Sequence, residues 1–186
     1  MSKTPKDTDV MTVWVKVNEA LREYLMCING GSDILYPDTT GELWILVKSH
    51  LKMVPNDYKP ELPQPKPGYI RIALGTSPGG LPVYNIQKCA KIHINYLFRN
   101  YLDEDSQRII EHFLMKNFKT VYRAFMTGAV TTNTDACVKE AIYTFCDVHH
   151  LTMNSITYEM LRKDWYRYRK RTARGEPCQE IKEEII

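Results

Sequence analysis

Residues 140–171, EAIYTFCDVHHLTMNSITYEMLRKDWYRYRKR, carry two helical patterns with a short break between them. Upstream, Val138, Ala141, Ile142 and Phe145 recur at helical spacing. The run His149-His150-Leu151-Thr152-Met153 breaks that pattern, and Asn154 or Ser155 offers a side-chain oxygen to cap a second helix. Beyond the break, Met160, Leu161, Trp165 and Tyr168 share one helical face. Lys163, Arg167, Lys170, Arg171 and Arg174 share the opposite one, with Arg162, Tyr166 and Arg169 beside them. The expected structure is helix, short turn, long helix, one face anchored to a body and the other a ladder of cations.

Working toward the N-terminus, the patterns remain mostly helical. Ile109, Ile110, Phe113, Leu114, Phe118, Val121, Tyr122 and Phe125 form one stripe, expected to be a long buried-face helix that starts near Asp103 and ends near Gly128. A threonine-rich link, Thr131 to Thr134, comes after it. Asn85 to about Tyr101 also reads as helix, on Ile86, Cys89, Ala90, His93, Leu97 and Tyr101. Near the start, Thr12 to Val17 alternates β-branched and aromatic residues and suits a strand. Asn18 then caps a helix through Ala20, Leu21, Tyr24, Leu25 and Ile28, closed by Asn29-Gly30-Gly31. A second helix is expected from about Thr40 to Lys52, burying Leu43, Trp44, Val47 and Leu51. Prolines at 55, 60, 63, 65 and 67 make an extended connector, and Tyr69 to Leu74 reads as a second strand.

The expected fold class is therefore mainly α with a small two-stranded β-ribbon (α+β), its helical C-terminal half ending in the helix pair. Three regions are expected: 1–80 with the strands, 81–175 helical, and 176–186 an acidic tail. The 186 residues, 44% hydrophobic and 25% charged, suit a globular protein rather than a disordered one. No run approaches the roughly 18–20 apolar residues of a membrane span, and Met1 to Asp9 is polar, so a cytoplasmic chain with no membrane partner is expected. Five scattered cysteines, Cys27, Cys89, Cys137, Cys146 and Cys178, are unlike a disulfide framework and agree with that setting.

Charge is the strongest functional signal. The net charge is only +3, but between residues 161 and 174 seven basic side chains meet one acid, Asp164. That window carries +6, so the remainder of the chain sums to −3. Phosphates repeat along nucleic acid, and a ladder of cations gains affinity by releasing their counterions. Arginine grips phosphate or guanine bidentately, and tyrosine donates to phosphate or stacks on bases. Arg162, Lys163, Tyr166, Arg167, Arg169, Lys170, Arg171 and Arg174 are accordingly the candidate nucleic-acid-binding residues, for DNA or RNA. The competing explanation is a solvated helix end, where cations complement the macrodipole.

The stretch 140–171 resembles the helix-turn-helix portion of small DNA-binding proteins from phages and other mobile elements. His149-His150-Leu151 stand where that family usually places a small residue in the tight turn. Thr12 to Leu25 is similar in outline to ribbon-helix-helix repressors, dimers whose strands read the major groove. That resemblance implies a homodimer with Trp14 and Lys16 on the reading face, although the loop from Asn29 to Thr39 is longer than the family pattern.

Other chemistry is poorly supported. The turn Gly75 to Gly80 lacks a following Lys-Ser/Thr and is no P-loop. Asp103-Glu104-Asp105 lacks the glycine and distal glutamate of a calcium loop. Cys146, His149, His150 and Cys137 do not form two spaced ligand pairs for zinc. Glu111-His112 are helical neighbours pointing about 100° apart. Twelve tyrosines raise a tyrosine-dependent nuclease or recombinase, yet no acid–base set accompanies Tyr166 or Tyr168. No cofactor and no enzymatic activity are expected. The functional expectation is a non-catalytic nucleic-acid-binding accessory or regulatory protein, with a phage assembly component docking on an acidic protein partner as the alternative.

Overall fold

A computed structural model describes residues 12–38, 40–53, 67–74, 100–130 and 134–175. The proline-rich segment from 55 to 66, the turn at 75–80, the helix expected from Asn85, the link residues 131–133 and the tail 176–186 lie outside the described residues. The chain separates into two compact units, Met1–Lys116 and Asn117–Ile186. The fold is mainly α with a small β part.

In the first unit, β1 (Thr12–Lys16) sends Val13 and Val15 to the core, as alternation requires. Asn18 caps α1 (Glu19–Ile28), its Oδ1 accepting the Leu21 amide at 2.8 Å. Ala20, Leu21, Tyr24 and Leu25 are buried, whereas Ile28 is exposed and does not extend the expected stripe. It occupies the final position of the helix, and Gly31 N–H closes back on the Met26 carbonyl at 2.7 Å just beyond it. The strand β4 (Tyr69–Ala73) pairs antiparallel with β1, Val15 opposite Ile70. The sheet is larger than the expected ribbon, because β2 (Ile34–Leu35) joins the other edge of β4 in parallel. Arg71 anchors that edge. Its side chain is buried, bonds both oxygens of Asp33, and its guanidinium lies 5.6 Å from the Trp14 ring.

The second expected helix is α2 (Glu42–His50), with only Val47 fully buried. It stops short of Lys52, since Lys52–Met53 form β3 and pair antiparallel with β5, Asn100–Tyr101. The expectation of helix through Tyr101 is therefore wrong at its end. Asp103 accounts for this locally: its carboxylate accepts the Ser106 amide at 3.0 Å as a helix cap and pairs with Lys52, fixing the chain beside β3. The long helix α3 (Glu104–Ala129) then begins.

The second unit contains α3 from Asn117 onward, α4 (Asp135–Val148) and α5 (Ser155–Ala173). Its aromatic centre is Phe145, whose ring meets those of Phe118, Tyr122, Phe125 and His149 at 4.5–6.0 Å. Val138, Ala141, Ile142, Leu151, Leu161 and Trp165 complete the core. Val121, expected in the stripe, is 41% exposed, and Met126 is buried instead. Positions 118, 122 and 126 keep a spacing of four, which leaves 121 on the helix flank.

Candidate nucleic-acid interface

The turn between α4 and α5 is built by main-chain bonds. Leu151 N–H reaches back to the Cys146 carbonyl at 2.8 Å, and His150 N–H to Asp147 at 3.3 Å. That pattern needs a left-handed residue between them, and His150 supplies it at φ +52°. Burial of Leu151 locks the turn. Asn154 then starts α5, its side chain accepting the Thr157 amide at 2.8 Å. No glycine or proline interrupts the helix through Ala173.

The faces of α5 divide as its sequence pattern requires. Thr157, Leu161, Asp164 and Trp165 are buried. Lys163, Arg167, Lys170, Arg171 and Arg174 are exposed, and Arg162, Tyr166 and Arg169 are half-buried at the flank. All eight expected binding residues thus lie on one helix, but they are not equivalent. Glu159 sits 3.6 Å from Arg162 and 3.8 Å from Lys163. The Arg162 guanidinium lies 5.5 Å from the Tyr166 ring, and the Tyr166 phenol donates to Asp135 at the start of α4. The N-terminal end of the ladder is tied to these acids. Among the described residues, Arg167, Arg169, Lys170 and Arg171 make no ion pair.

Asp164, the one acid of the basic window, does not oppose the ladder. It is 8% exposed and accepts both Nε and Nη2 of Arg123 at 2.8 Å, with Lys119 Nζ 3.7 Å away. The Arg123 guanidinium also lies 5.3 Å from the Tyr168 ring, which leans on Trp165. Two cations of α3 thus neutralise one carboxylate of α5, leaving this cluster at +1. Lys119 and Arg123 were not among the candidates read from the sequence. The available signal was their i, i+4 spacing beside the buried positions 118 and 122, in a stretch, 117–129, that holds no acid.

A tyrosine that attacks a phosphodiester needs a lowered pKa or a base to take its proton. The hydrogen bond to Asp135 instead raises the Tyr166 phenol. Cys146 is buried, and burial followed by the neighbouring His150 lowers the pKa of His149, which packs on Phe145. Among the described residues no three His, Cys, Asp or Glu side chains are grouped to hold a metal, and no helix is long and apolar enough to cross a membrane. No family model, no curated protein and no solved structure matches this chain.

Proposed function

We propose that this chain is a non-catalytic nucleic-acid-binding accessory or regulatory protein, akin to the small helix-turn-helix proteins of phages and mobile elements that its sequence resembles. The observation that carries the reading is the arrangement of α5. Arg167, Lys170 and Arg171 have no ion-pair partner among the described residues, on the exposed side of a helix whose other face is held by Leu161 and Trp165. The single acid of that stretch is turned inward onto α3. Helix-end stabilisation explains less. It contributes about 0.3–1 kcal/mol and fades within the last turn, so it accounts for Lys170 and Arg171 but not for Arg167.

A salt titration of binding to a random-sequence DNA duplex tests the reading. Four neutralised phosphates give a slope of log K against log salt near about −3.6. A slope near zero, with tight binding to an acidic protein instead, would replace this reading with that of an assembly component.

A further inference from the structure

We infer that the binding face extends from α5 onto α3, where Lys119 and Arg123 form a second row of cations, and that its ligand is a nucleic-acid duplex. This rests on the reading of α5 as a phosphate-binding helix. The direction of the extension is set by the two flanks of α5. On the α4 side, the exposed charges of that helix are Asp135, Glu140 and Asp147 against Lys139, a net −2 that repels phosphate. On the α3 side, residues 117–129 hold Lys119 and Arg123 and no acid. Arg167 and Arg171 lie three and seven residues beyond Asp164, which places them on the flank of α5 that Asp164 turns toward α3.

Asp164 is the positioning residue of this surface. Its two oxygens are engaged by Arg123 at 2.8 Å, and Lys119, 36% exposed, stands 3.7 Å away with its remaining donors available to solvent. An ammonium has three donors, so Lys119 can hold the carboxylate and still meet a phosphate. Cations carried by two adjacent helices can meet phosphates on both strands of a duplex. A single strand presents only one row.

The test is a salt titration by fluorescence anisotropy, using a labelled random-sequence 20-base-pair DNA duplex and one of its strands alone. With Lys119 engaged, the wild-type slope steepens to about −4.5. Lys119→Gln should then flatten it by about 0.9, making the affinity lost between about 50 and 200 mM salt roughly 3.5-fold smaller. Lys119→Arg should restore the slope, and Lys139→Gln on the α4 flank should leave it unaltered. A purely structural role for Lys119 would lower the melting temperature without changing the slope, and would overturn the inference. If Lys119→Gln leaves the slope intact while Arg167→Ala with Lys170→Ala flattens it, the second row falls and the α5 reading stands. Equal or tighter binding of the single strand overturns the duplex assignment. A wild-type slope near zero removes the α5 reading itself.

Discussion

The phenol of Tyr122 on α3 donates a hydrogen bond to the main-chain carbonyl of Leu161 on α5 across 3.0 Å, with both side chains buried. The bond fixes the height of α5 against α3, and so the level at which Lys119 and Arg123 meet Asp164. Tyr122→Phe should cost about 0.5–1.5 kcal/mol, the net worth of one such bond, since the helical carbonyl keeps a second lone pair in use. The pH dependence has its origin in the same burial, which raises the Tyr122 pKa well above that of an exposed phenol, with Asp164 adding to it. A raised folded-state pKa means the folded chain holds its proton where the unfolded chain loses it. Stability from this group is complete below about pH 10 and falls as pH rises beyond it. Thermal melts from pH 8 to 11 should show that decline in the wild type and a shallower one in Tyr122→Phe.

Trp165 offers a sharper test of the anchor. It is 4% exposed, so Trp165→Ala should destabilise by about 3–5 kcal/mol. Its indole Nε1 is buried, with no hydrogen-bond partner among the described residues. An unpaired buried donor costs about 1–3 kcal/mol, and phenylalanine removes that donor together with part of the ring. Trp165→Phe should therefore lose far less stability than Trp165→Ala, and less than its lost area alone implies. Urea denaturation monitored by circular dichroism gives both numbers.

These two residues also mark where the sequence was informative. Trp165 and Leu161 were legible as an apolar face because helical periodicity is local, and Asn18 and Asn154 were legible as caps because a cap acts three residues downstream. The strands β1 and β4 were legible for the same reason, from alternation within each. Pairing over distance could not be read. Asp164 meets Arg123 across 41 residues and Arg71 meets Asp33 across 38, and nothing in the composition near either names its partner. The short strands β2, β3 and β5 hold two residues each, too few to show alternation. The sequence thus placed the candidate site on α5 alone, without the two cations of α3 that meet Asp164. The count of +6 stands, but its distribution could not be read: Glu159, just outside the window, meets Arg162 and Lys163, and Asp164 is turned inward.

His150 holds a left-handed backbone at φ +52° where such turns ordinarily use glycine. That conformation costs an L-residue on the order of 1–2 kcal/mol, and glycine returns part of the gain through its freer unfolded chain. His150→Gly should stabilise the protein by about 0.5–1 kcal/mol, whereas His150→Val, β-branched and crowded there, should destabilise it. Differential scanning calorimetry above pH 7 separates this from protonation. His149, its pKa lowered chiefly by burial, stays neutral when folded at a pH where the unfolded ring charges. Its contribution is present above about pH 6.5 and is lost as pH falls below that value.

The ladder itself gives the most direct prediction. Arg167 and Lys170 are both exposed and make no ion pair among the described residues, so each is available to one phosphate. Replacing both with alanine should flatten the salt slope by about 1.8 while leaving the melting temperature close to that of the wild type. The fold is spared because neither side chain is on the face buried by Leu161 and Trp165. Arg162→Ala should alter the slope much less. Glu159 already lies 3.6 Å from that guanidinium, and the Tyr166 ring lies beneath it. Glu159 makes only these looser contacts, whereas both oxygens of the carboxylate beside Lys119 are held by Arg123, so Arg162 releases fewer counterions when it turns to phosphate. Equal slope changes for Arg162→Ala and Arg167→Ala would mean that Glu159 gives up its partner on binding, and that the whole of α5 engages the ligand. An unaltered slope in the Arg167→Ala, Lys170→Ala variant would remove this helix as the binding element.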